Sequence, residues 1–300
     1  MVQVYGTVCL DVLKRVQKIP PLGGYVEVEE TTVLLGGEAA NTAAQLSAFG
    51  VECQLIGNAM TGADVGRLMA GAKIENYALA ESEFSAPVCD IYVTPDGERT
   101  MFGQGFRWLE KRHALGLLNV ECDGWLTVDD NHGEAAREAI RRAHDWGKPV
   151  YAMDFVRDQE PLLHGDILQT STDWMDGIAR EDVVSKARGW SDKYGIRVVI
   201  TDGANGFVYS APGREAVQLP SLPCPHRVDS TGAGDAFRAG MLCGVIGGWP
   251  MDKTLAFAAA AGAMACTRLG GAANAPSKDA VVAHVLENKD IVDQYAELVV

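Results

Sequence analysis

"DSTGAGDAFRAGM" occupies positions 229 to 241 and combines small residues with an acidic one. The glycines at 232 and 234 allow a ligand to come close to the backbone. The apolar pattern that starts at Ala236 predicts a helix. The N–H groups at a helix start lack acceptors and carry partial positive charge. We therefore predict that Gly232, Ala233 and Gly234 form an anion site.

Asp235 directly follows these small residues, although a carboxylate repels an anion. Both features are explained if the anion is a phosphoryl group in transfer, because the carboxylate then accepts the proton of the attacking hydroxyl. The N–H groups would stabilise charge on the phosphoryl oxygens. The motif alone leaves a second interpretation open, in which Asp235 only caps the helix. Its spacing excludes a P-loop, and it does not follow the first strand, as a dinucleotide-binding motif would.

A second glycine-rich stretch, "LLGGEAANTAAQLSAFG", covers positions 34 to 50. The Gly36-Gly37 pair ends an extended run, and an alanine-rich helix follows. Asn41 lies in the first turn of this helix, where its amide either binds a ligand hydroxyl or is satisfied by local backbone. Asp11 follows the apolar first strand, and ligands bind at the carboxyl ends of strands in open parallel sheets. It is a candidate acceptor for sugar hydroxyls, with a turn-stabilising aspartate as the alternative.

The composition is typical of a globular enzyme. The 300 residues are 47% hydrophobic and 22% charged, with a formal net charge of −14. Nucleic-acid binding needs a basic face, so this charge argues against it. The first ten residues lack the pattern of a signal peptide, and the longest small-apolar run, Leu255 to Cys266, is too short to span a bilayer. We therefore expect a cytoplasmic protein with neither nucleic-acid nor membrane partners.

The cysteines are scattered, odd in number and without a C-x-x-C pair. We interpret them as small buried hydrophobic residues in a reducing compartment, in preference to a metal or redox site. The seven positions are 9, 53, 89, 122, 224, 243 and 266.

Short β-rich runs alternate with helical ones along the chain. The predicted strands are Val2–Cys9, Val51–Ile56, Trp125–Val128, Pro149–Met153 and Ile196–Thr201. The predicted helices are Glu38–Phe49, Asp64–Ala72, Glu134–Trp146, Glu181–Tyr194, Ala236–Ile246, Asp252–Thr267 and Lys278–Glu287. This alternation predicts an α/β fold, a doubly wound and mostly parallel sheet with helices on both faces. Because no linker divides the chain, we expect one domain over residues 1–300.

Two segments interrupt the alternation, at about residues 12–34 and 85–107. The second contains "PDGE", a hairpin turn between alternating residues. Strands outside the α/β alternation predict a small extra sheet that projects from the main body. Periodicity alone leaves a plain edge hairpin as the alternative.

The two glycine-rich stretches together resemble the signatures of the ribokinase-like (PfkB) carbohydrate kinases. "GGEAANTAAQLSAFG" is similar to the N-terminal signature and "DSTGAGDAFRAG" to the C-terminal one. The likeness continues in "VVITDGANGFVYS" at 198–210 and "CTRLGGAANAPSKD" at 266–279. It implies a doubly wound sheet with a β-lid over the sugar. It also implies that ATP, with Mg²⁺, donates its γ-phosphoryl group to a substrate hydroxyl.

Roles carry over to the positions that match the family's motifs. Asp235 matches the catalytic base, and Gly232, Ala233 and Gly234 match the anion hole. The positions that match sugar-binding residues are Asp11, Gly36, Gly37 and Asn41.

The nucleotide-binding strand and loop of the family correspond to Thr201, Gly203 and Gly206. Asp229 and Thr231 match positions that hold a monovalent cation in potassium-activated members, which makes K⁺ a further candidate cofactor. Arg99 resembles a lid arginine that some members place on the substrate, and a solvated hairpin charge is the alternative for it.

The chain also departs from the family pattern. The N-x-x-E motif that organises magnesium is missing, because the matching segment reads "LQTSTDWM". Glu38 stands where ribokinases proper typically carry a lysine, so the resemblance does not imply ribose. The segments "CDIYVTPDGERTM" and "CTRLGGAANAP" look nearer to the ketohexokinase and sulfofructose-kinase branches than to adenosine kinases.

Three functions are therefore compared. The first is a kinase of a small sugar or sugar derivative. The second is a nucleoside kinase, in which Phe102, Phe106 and Trp108 would clamp a base, although three aromatic residues near a hairpin are also typical of plain packing. The third is a catalytically silent sugar- or nucleotide-binding protein, which would have no need for Asp235. The resemblance further implies a homodimer through the lid, where Val26, Val28, Val33 and Leu34 are apolar.

Overall fold

The computed structural model describes residues 1–111, 113–119, 123–156, 161–175 and 180–299. Within these ranges it contains thirteen strands: β1 (Val2–Gly6), β2 (Cys9–Val16), β3 (Val28–Gly36), β4 (Cys53–Gly57), β5 (Tyr77–Leu79), β6 (Val88–Val93), β7 (Arg99–Gln104), β8 (Leu126–Asp129), β9 (Val150–Met153), β10 (Ile167–Ser171), β11 (Arg197–Thr201), β12 (Phe207–Ser210) and β13 (Val217–Leu219). The same ranges contain eight α-helices: α1 (Glu38–Ala48), α2 (Val65–Gly71), α3 (Glu134–Asp145), α4 (Arg180–Tyr194), α5 (Ala233–Ile246), α6 (Met251–Ala265), α7 (Lys278–Glu287) and α8 (Lys289–Leu298).

The strands form two sheets. The large sheet has the order β13-β12-β11-β10-β9-β8-β1-β4-β5, and only its β11–β12 and β12–β13 pairs are antiparallel. Its inner strands are buried on both sides and rich in valine, isoleucine and leucine, as parallel strands covered by helices are. The predicted mostly parallel α/β sheet is confirmed.

Helices cover both faces of the large sheet. One core contains α1, α5 and α6, and Leu46, Phe237 and Phe257 are among its buried side chains. The core on the other face contains α3 and α4, with Ile140 and Trp190. This arrangement places the first turns of α1 and α5 at the edge where the parallel strands end, which is where doubly wound sheets bind ligands.

The small sheet has the order β3-β2-β6-β7. Strand β2 pairs antiparallel with β3 and parallel with β6, and β6 pairs antiparallel with β7. The segments 12–34 and 85–107 therefore contribute to one sheet and are not a single edge hairpin. The turn before β7 lies against the loop that precedes α5, where Arg227 forms an ion pair with Glu98 at 2.8 Å.

Two differences between the predicted and observed bounds affect the site. The run Val2–Cys9 is two strands, because β1 ends at Gly6 and the chain changes sheet before Cys9. Asp11 therefore lies inside β2 of the small sheet, and its predicted place just past the first strand was wrong. Helix α5 begins at Ala233, three residues earlier than the apolar pattern indicates, since small residues carry no amphipathic signal.

Besides the short strands β5, β12 and β13, the sequence analysis did not predict β10 and α8. Strand β10 contains the polar residues Gln169 and Thr170, which interrupt its apolar run. Helix α8 is mostly polar and contributes the buried Tyr295 to the core.

Among the described residues, no helix is both long and apolar enough to cross a membrane. Six of the cysteines are free thiols, at positions 9, 53, 89, 224, 243 and 266, and Cys122 lies outside the described residues.

Candidate active site

The first turn of α5 carries the predicted anion site. Gly232 is the N-cap residue with φ of 77°, a left-handed conformation that favours glycine. Ala233 and Gly234 already belong to the helix, so the site is a helix start and not a separate loop. The N–H groups of Gly232, Gly234 and Asp235 have no hydrogen-bond acceptor among the residues that the structure describes. They remain available to a bound anion.

Asp235 is buried in this turn, with 5% of its surface exposed. Its Oδ2 accepts a hydrogen bond from Asn41 Nδ2 at 2.9 Å, and its Oδ1 accepts one from Arg238 Nη2 at 3.2 Å. The side chain does not cap its own helix, which removes the alternative that the sequence left open. Burial raises the pKa of Asp235 to about 6, although the Arg238 charge and the Asn41 bond act to lower it.

Helix α1 brings Asn41 to this carboxylate. Its N-cap, Gly37, has φ of 95° and lies so close to the Thr7 carbonyl that a Cβ would overlap it. The amide nitrogen of Asn41 is used by Asp235, whereas its Oδ1 has no partner among the described residues. The oxygen is therefore the part of Asn41 that is available to accept a bond from a ligand.

Asp11 is also buried, with 3% exposure. Its carboxylate lies against the Cα of Gly36, where any Cβ would overlap it. Cys9 Sγ donates to its Oδ1 at 3.2 Å. Burial raises the pKa of Asp11 to about 7, and the negative charges of Asp229 and Asp235 act in the same direction. This environment is unlike that of a turn-stabilising aspartate.

Three more carboxylates surround Asp235 that the sequence analysis did not place in the site: Glu38, Asp129 and Asp154. Oxygens of Glu38 and Asp154 have no partner in the described part of the chain. Burial raises the pKa of Asp154 to about 7 and that of Glu38 well above its usual range. Asp129 ends β8 and Asp154 follows β9. Both therefore carried the signal of an acidic residue after a buried strand.

The loop before α5 joins the two sheets. The Asp229 carboxylate accepts bonds from Thr231 N (2.9 Å), Thr231 Oγ1 (2.7 Å) and Gly270 N (2.9 Å). Arg99, at the start of β7, donates to Ser230 Oγ. Arg99 is thus not a freely solvated hairpin charge, because the small sheet places it beside the anion site.

The three candidate nucleotide residues lie at the end of β11 and after it. Thr201 Oγ1 donates to the Thr170 carbonyl at 3.3 Å, which ties the ends of β10 and β11 together. Gly203 and Gly206 have φ of 52° and 93° and form a tight turn. Strand β10 also contacts the anion site, because Gln169 Nε2 donates to the Gly234 carbonyl at 2.9 Å.

The three aromatic residues of the predicted base clamp do not act together. Phe102 is 61% exposed and packs edge-on against Tyr92. The next residue, Gly103, pairs with Cys89 on β6, which in turn pairs with Asp11 on β2. Phe106 and Trp108 instead line a cavity of about 580 Å³ with Phe84.

The chain is similar in sequence to known kinases. Residues 169–278 match the family model described as pfkB family carbohydrate kinase. The chain is 28% identical to an uncharacterized sugar kinase of Dictyostelium discoideum, an alignment that covers 93% of this chain and 96% of that protein. It is 25% identical to a nucleoside kinase of Methanocaldococcus jannaschii, over 92% of this chain and 94% of the relative.

A solved structure of Arabidopsis thaliana ribokinase, complexed with ribose and ATP, has the same fold. Its TM-score is 0.74 at 21% identity, and the alignment covers 95% of this chain and 98% of that one. The family model includes α5 and its anion site, and the relatives align with nearly the whole chain. Residues 169–278 therefore match the PfkB carbohydrate kinases and the chain has the fold of a ribokinase, and both findings support a phosphotransferase with an alcohol acceptor.

Proposed function

We propose that this sugar kinase transfers the γ-phosphoryl group of ATP to a hydroxyl of a sugar or sugar derivative, with Asp235 as the general base. The observation that supports it most is the position of this buried carboxylate in a helix turn where the N–H groups of Gly232, Gly234 and Asp235 lack acceptors among the described residues. The carboxylate that accepts the proton therefore lies next to the N–H groups that would bind the phosphoryl group, and in-line phosphoryl transfer requires both.

In the proposed reaction Asp235 accepts the proton of the attacking hydroxyl. Both of its oxygens accept one bond from the protein, and a carboxylate oxygen has capacity for a second donor. A pKa of about 6 leaves most of the carboxylate ionised at pH 7. The N–H groups at the start of α5 would stabilise the charge that develops on the transferred group.

The acceptor atoms around Asp235 suit a ligand with many hydroxyl donors. Asn41 Oδ1 and one oxygen each of Glu38 and Asp154 have no partner among the described residues. In the described part of the chain, Asp11 accepts only from the Cys9 thiol, a weak donor. Gly36 and Gly37 allow the backbone to approach these groups. We propose Asp11 and Asn41 as sugar-binding residues on this basis, and Arg99 as a donor to the substrate from the small sheet.

We propose that ATP lies on the other side of the anion site, at Thr201, Gly203 and Gly206. Mg²⁺ prefers carboxylate and phosphate oxygens and keeps several waters. The unpartnered buried oxygen of Asp154 fits that chemistry. No three acidic, histidine or cysteine side chains converge into a metal site among the described residues, so the phosphates of ATP would supply the remaining ligands.

A monovalent cation and a homodimer complete the proposal. Asp229 is buried, and in the described part of the chain its carboxylate accepts bonds only from neutral groups of Thr231 and Gly270. Its negative charge is therefore available to K⁺. On the edge strand β3, Val28 and Val33 are 39% and 44% exposed. They support pairing of two copies through the small sheet. Leu34 packs inside that sheet instead.

A nucleoside kinase is the second candidate, because the cavity of Phe84, Phe106 and Trp108 offers aromatic faces. Gly103 lies next to this cavity and pairs with Cys89 on β6, and Cys89 pairs with Asp11 on β2. Phosphoryl transfer from ATP to a panel of sugars, sugar acids, sulfosugars and nucleosides separates the candidates. We expect turnover with a sugar or sugar derivative. Turnover with nucleosides alone favours the second candidate, and no turnover with any member contradicts the proposal.

Asp235→Asn should retain the fold and sugar binding while kcat falls by roughly two to four orders of magnitude, the range for loss of a general base. In the wild type, the rate should fall as the pH is lowered through about 6, because Asp235 gains a proton there. The residual rate of the variant should lack this dependence. Steady-state kinetics from pH 5 to 8 test both statements, and a near wild-type kcat would show that Asp235 is not the base.

Gly234→Val should abolish transfer in a folded protein, because the side chain enters the space next to the free N–H groups. A Cβ at this position meets Met153 Cε at 3.3 Å, a flexible side-chain end, and the backbone is helical. Gly66→Val is the matched control, since Gly66 is also the second residue of a helix and a Cβ there meets nothing within 4 Å. Circular dichroism verifies folding. Equal loss of sugar binding by calorimetry would contradict phosphate placement here.

Asp11→Ala should raise the sugar KM by roughly tenfold or more, because an unpaired partner costs about 1–3 kcal/mol. The KM for ATP should change little. Burial raises the pKa of Asp11 to about 7, so its ionisation lowers stability as the pH rises from about 4 to 7. Its removal should therefore not lower the melting temperature at pH 8. A changed ATP KM with a constant sugar KM would reverse the proposed orientation of the site.

A further inference from the structure

Arg238 is a fully buried charged residue one turn after Asp235 on α5. None of its surface is exposed, and it is among the largest fully buried side chains of the described residues. Burial of a charge is costly unless the charge is paired and hydrogen-bonded. An uncharged residue would pack at this position without that cost. The cost indicates a role for the charge itself.

We propose that Arg238 is a positioning residue for the general base: its guanidinium orients the Asp235 carboxylate and keeps it ionised among the surrounding acidic side chains. This inference rests on the proposed function, in which Asp235 removes a proton from the substrate.

The guanidinium is held in place by α1. Its Nε donates to Thr42 Oγ1 at 2.8 Å, and its Nη2 donates to the Glu38 carbonyl at 2.6 Å. Thr42 Oγ1 donates to the same carbonyl at 2.8 Å. Because the guanidinium is planar and its donors have fixed directions, these bonds determine where Nη2 meets Asp235 Oδ1, at 3.2 Å.

Asp235 is thereby held by two donors on its two oxygens. Asn41 bonds Oδ2 and Arg238 bonds Oδ1, so rotation of the carboxylate would break at least one bond. Both donors depend on α1, Asn41 as a member of it and Arg238 through its anchors. A base held in one orientation keeps its remaining lone pairs directed at one place, which proton transfer in the transition state requires.

The electrostatic part of the role follows from the neighbours of Asp235. Acidic groups face it from four other elements: Glu38 on α1, Asp129 on β8, Asp154 after β9 and Asp11 on β2. Like charges favour the protonated form of a carboxyl. Arg99 on β7 also lowers the pKa of Asp235, by less than Arg238 does. Without Arg238, a larger fraction of Asp235 would keep its proton at neutral pH, and that fraction could not act as a base.

Three substitutions separate charge from hydrogen bonding. Arg238→Lys keeps the charge, Arg238→Gln keeps donors without the charge, and Arg238→Met removes both. The acid limb of kcat is the fall in kcat as the pH is lowered and Asp235 gains a proton. With both substrates saturating, we expect this limb to move up by roughly one pH unit or more in the Gln and Met variants. The limb of the Lys variant should stay near that of the wild type. A purely structural arginine would lower stability in all three and leave the limb in place.

Arg188→Gln is the control. Arg188 on α4 forms exposed ion pairs with Asp192 of the same helix and with Glu215, so this substitution should not move the acid limb of kcat. The charge of Arg238 also lowers the pKa of Asp154. The comparison is therefore repeated with Asp154→Asn added to the wild type and to the Arg238→Gln variant. A shift that persists there belongs to Asp235. A shift that disappears in this background, or is absent from the Gln variant, overturns the inference.

If the Gln and Met variants do not fold, Thr42→Val tests the positioning role alone. It removes the acceptor of Arg238 Nε and keeps every charge. We expect kcat to fall roughly threefold to tenfold with an unchanged sugar KM and limb, and an unchanged kcat would contradict the inference. Asp235→Asn separates the two levels. If that variant stays active, the proposed base is wrong. If it is inactive but the acid limb of kcat does not move in the Arg238 variants, only this inference fails.

Discussion

The hydrogen bond from Asn41 Nδ2 to Asp235 Oδ2, at 2.9 Å, joins residues 194 positions apart. It connects the first turns of α1 and α5, which pack in the same core. Asn41 and the phosphate-binding N–H groups of the proposed site belong to these two turns. The chemistry therefore depends on how closely two helix starts approach one another. A small displacement of either helix would separate the base from its substrate hydroxyl, at a large cost in rate.

Glycines make that approach possible at positions where no other residue fits. A Cβ on Gly232 would lie 2.7 Å from the Cα of Gly271, and a Cβ on Gly271 would lie 2.5 Å from Asn41 Oδ1. Gly37 has a left-handed φ and lies against the Thr7 carbonyl. These contacts join three distant segments of the chain by backbone proximity. The glycines of both signatures therefore have a packing role in addition to leaving space for a ligand.

Local sequence patterns were sufficient for the fold class and for the two glycine-rich stretches. The alternation of strands and helices, and small residues before an acid, are local signals that need no knowledge of contacts. The change of sheet between Gly6 and Cys9 was missed because the apolar run of β1 continues through Val8 and Cys9 into the start of β2, and only the partners of the two strands differ. Arg238 was missed for a related reason. A single charge in a helical pattern predicts a solvent-exposed position, and only the tertiary contacts of α1 show that it is buried.

The distribution of charge gives the proposed reaction a direction. In the proposed site the carboxylates of Asp11 and Glu38 would repel the phosphates of ATP, while they accept bonds from hydroxyls. The N–H groups at the start of α5 attract phosphate and offer nothing to a proton donor. In the proposed reaction, a sugar and a nucleotide would therefore bind on opposite sides of Asp235, each against a surface of complementary charge. Asp235 would stand between them, where the hydroxyl must lose its proton as it attacks phosphorus, and the positive charge of Arg238 would keep this carboxylate ionised and able to accept that proton.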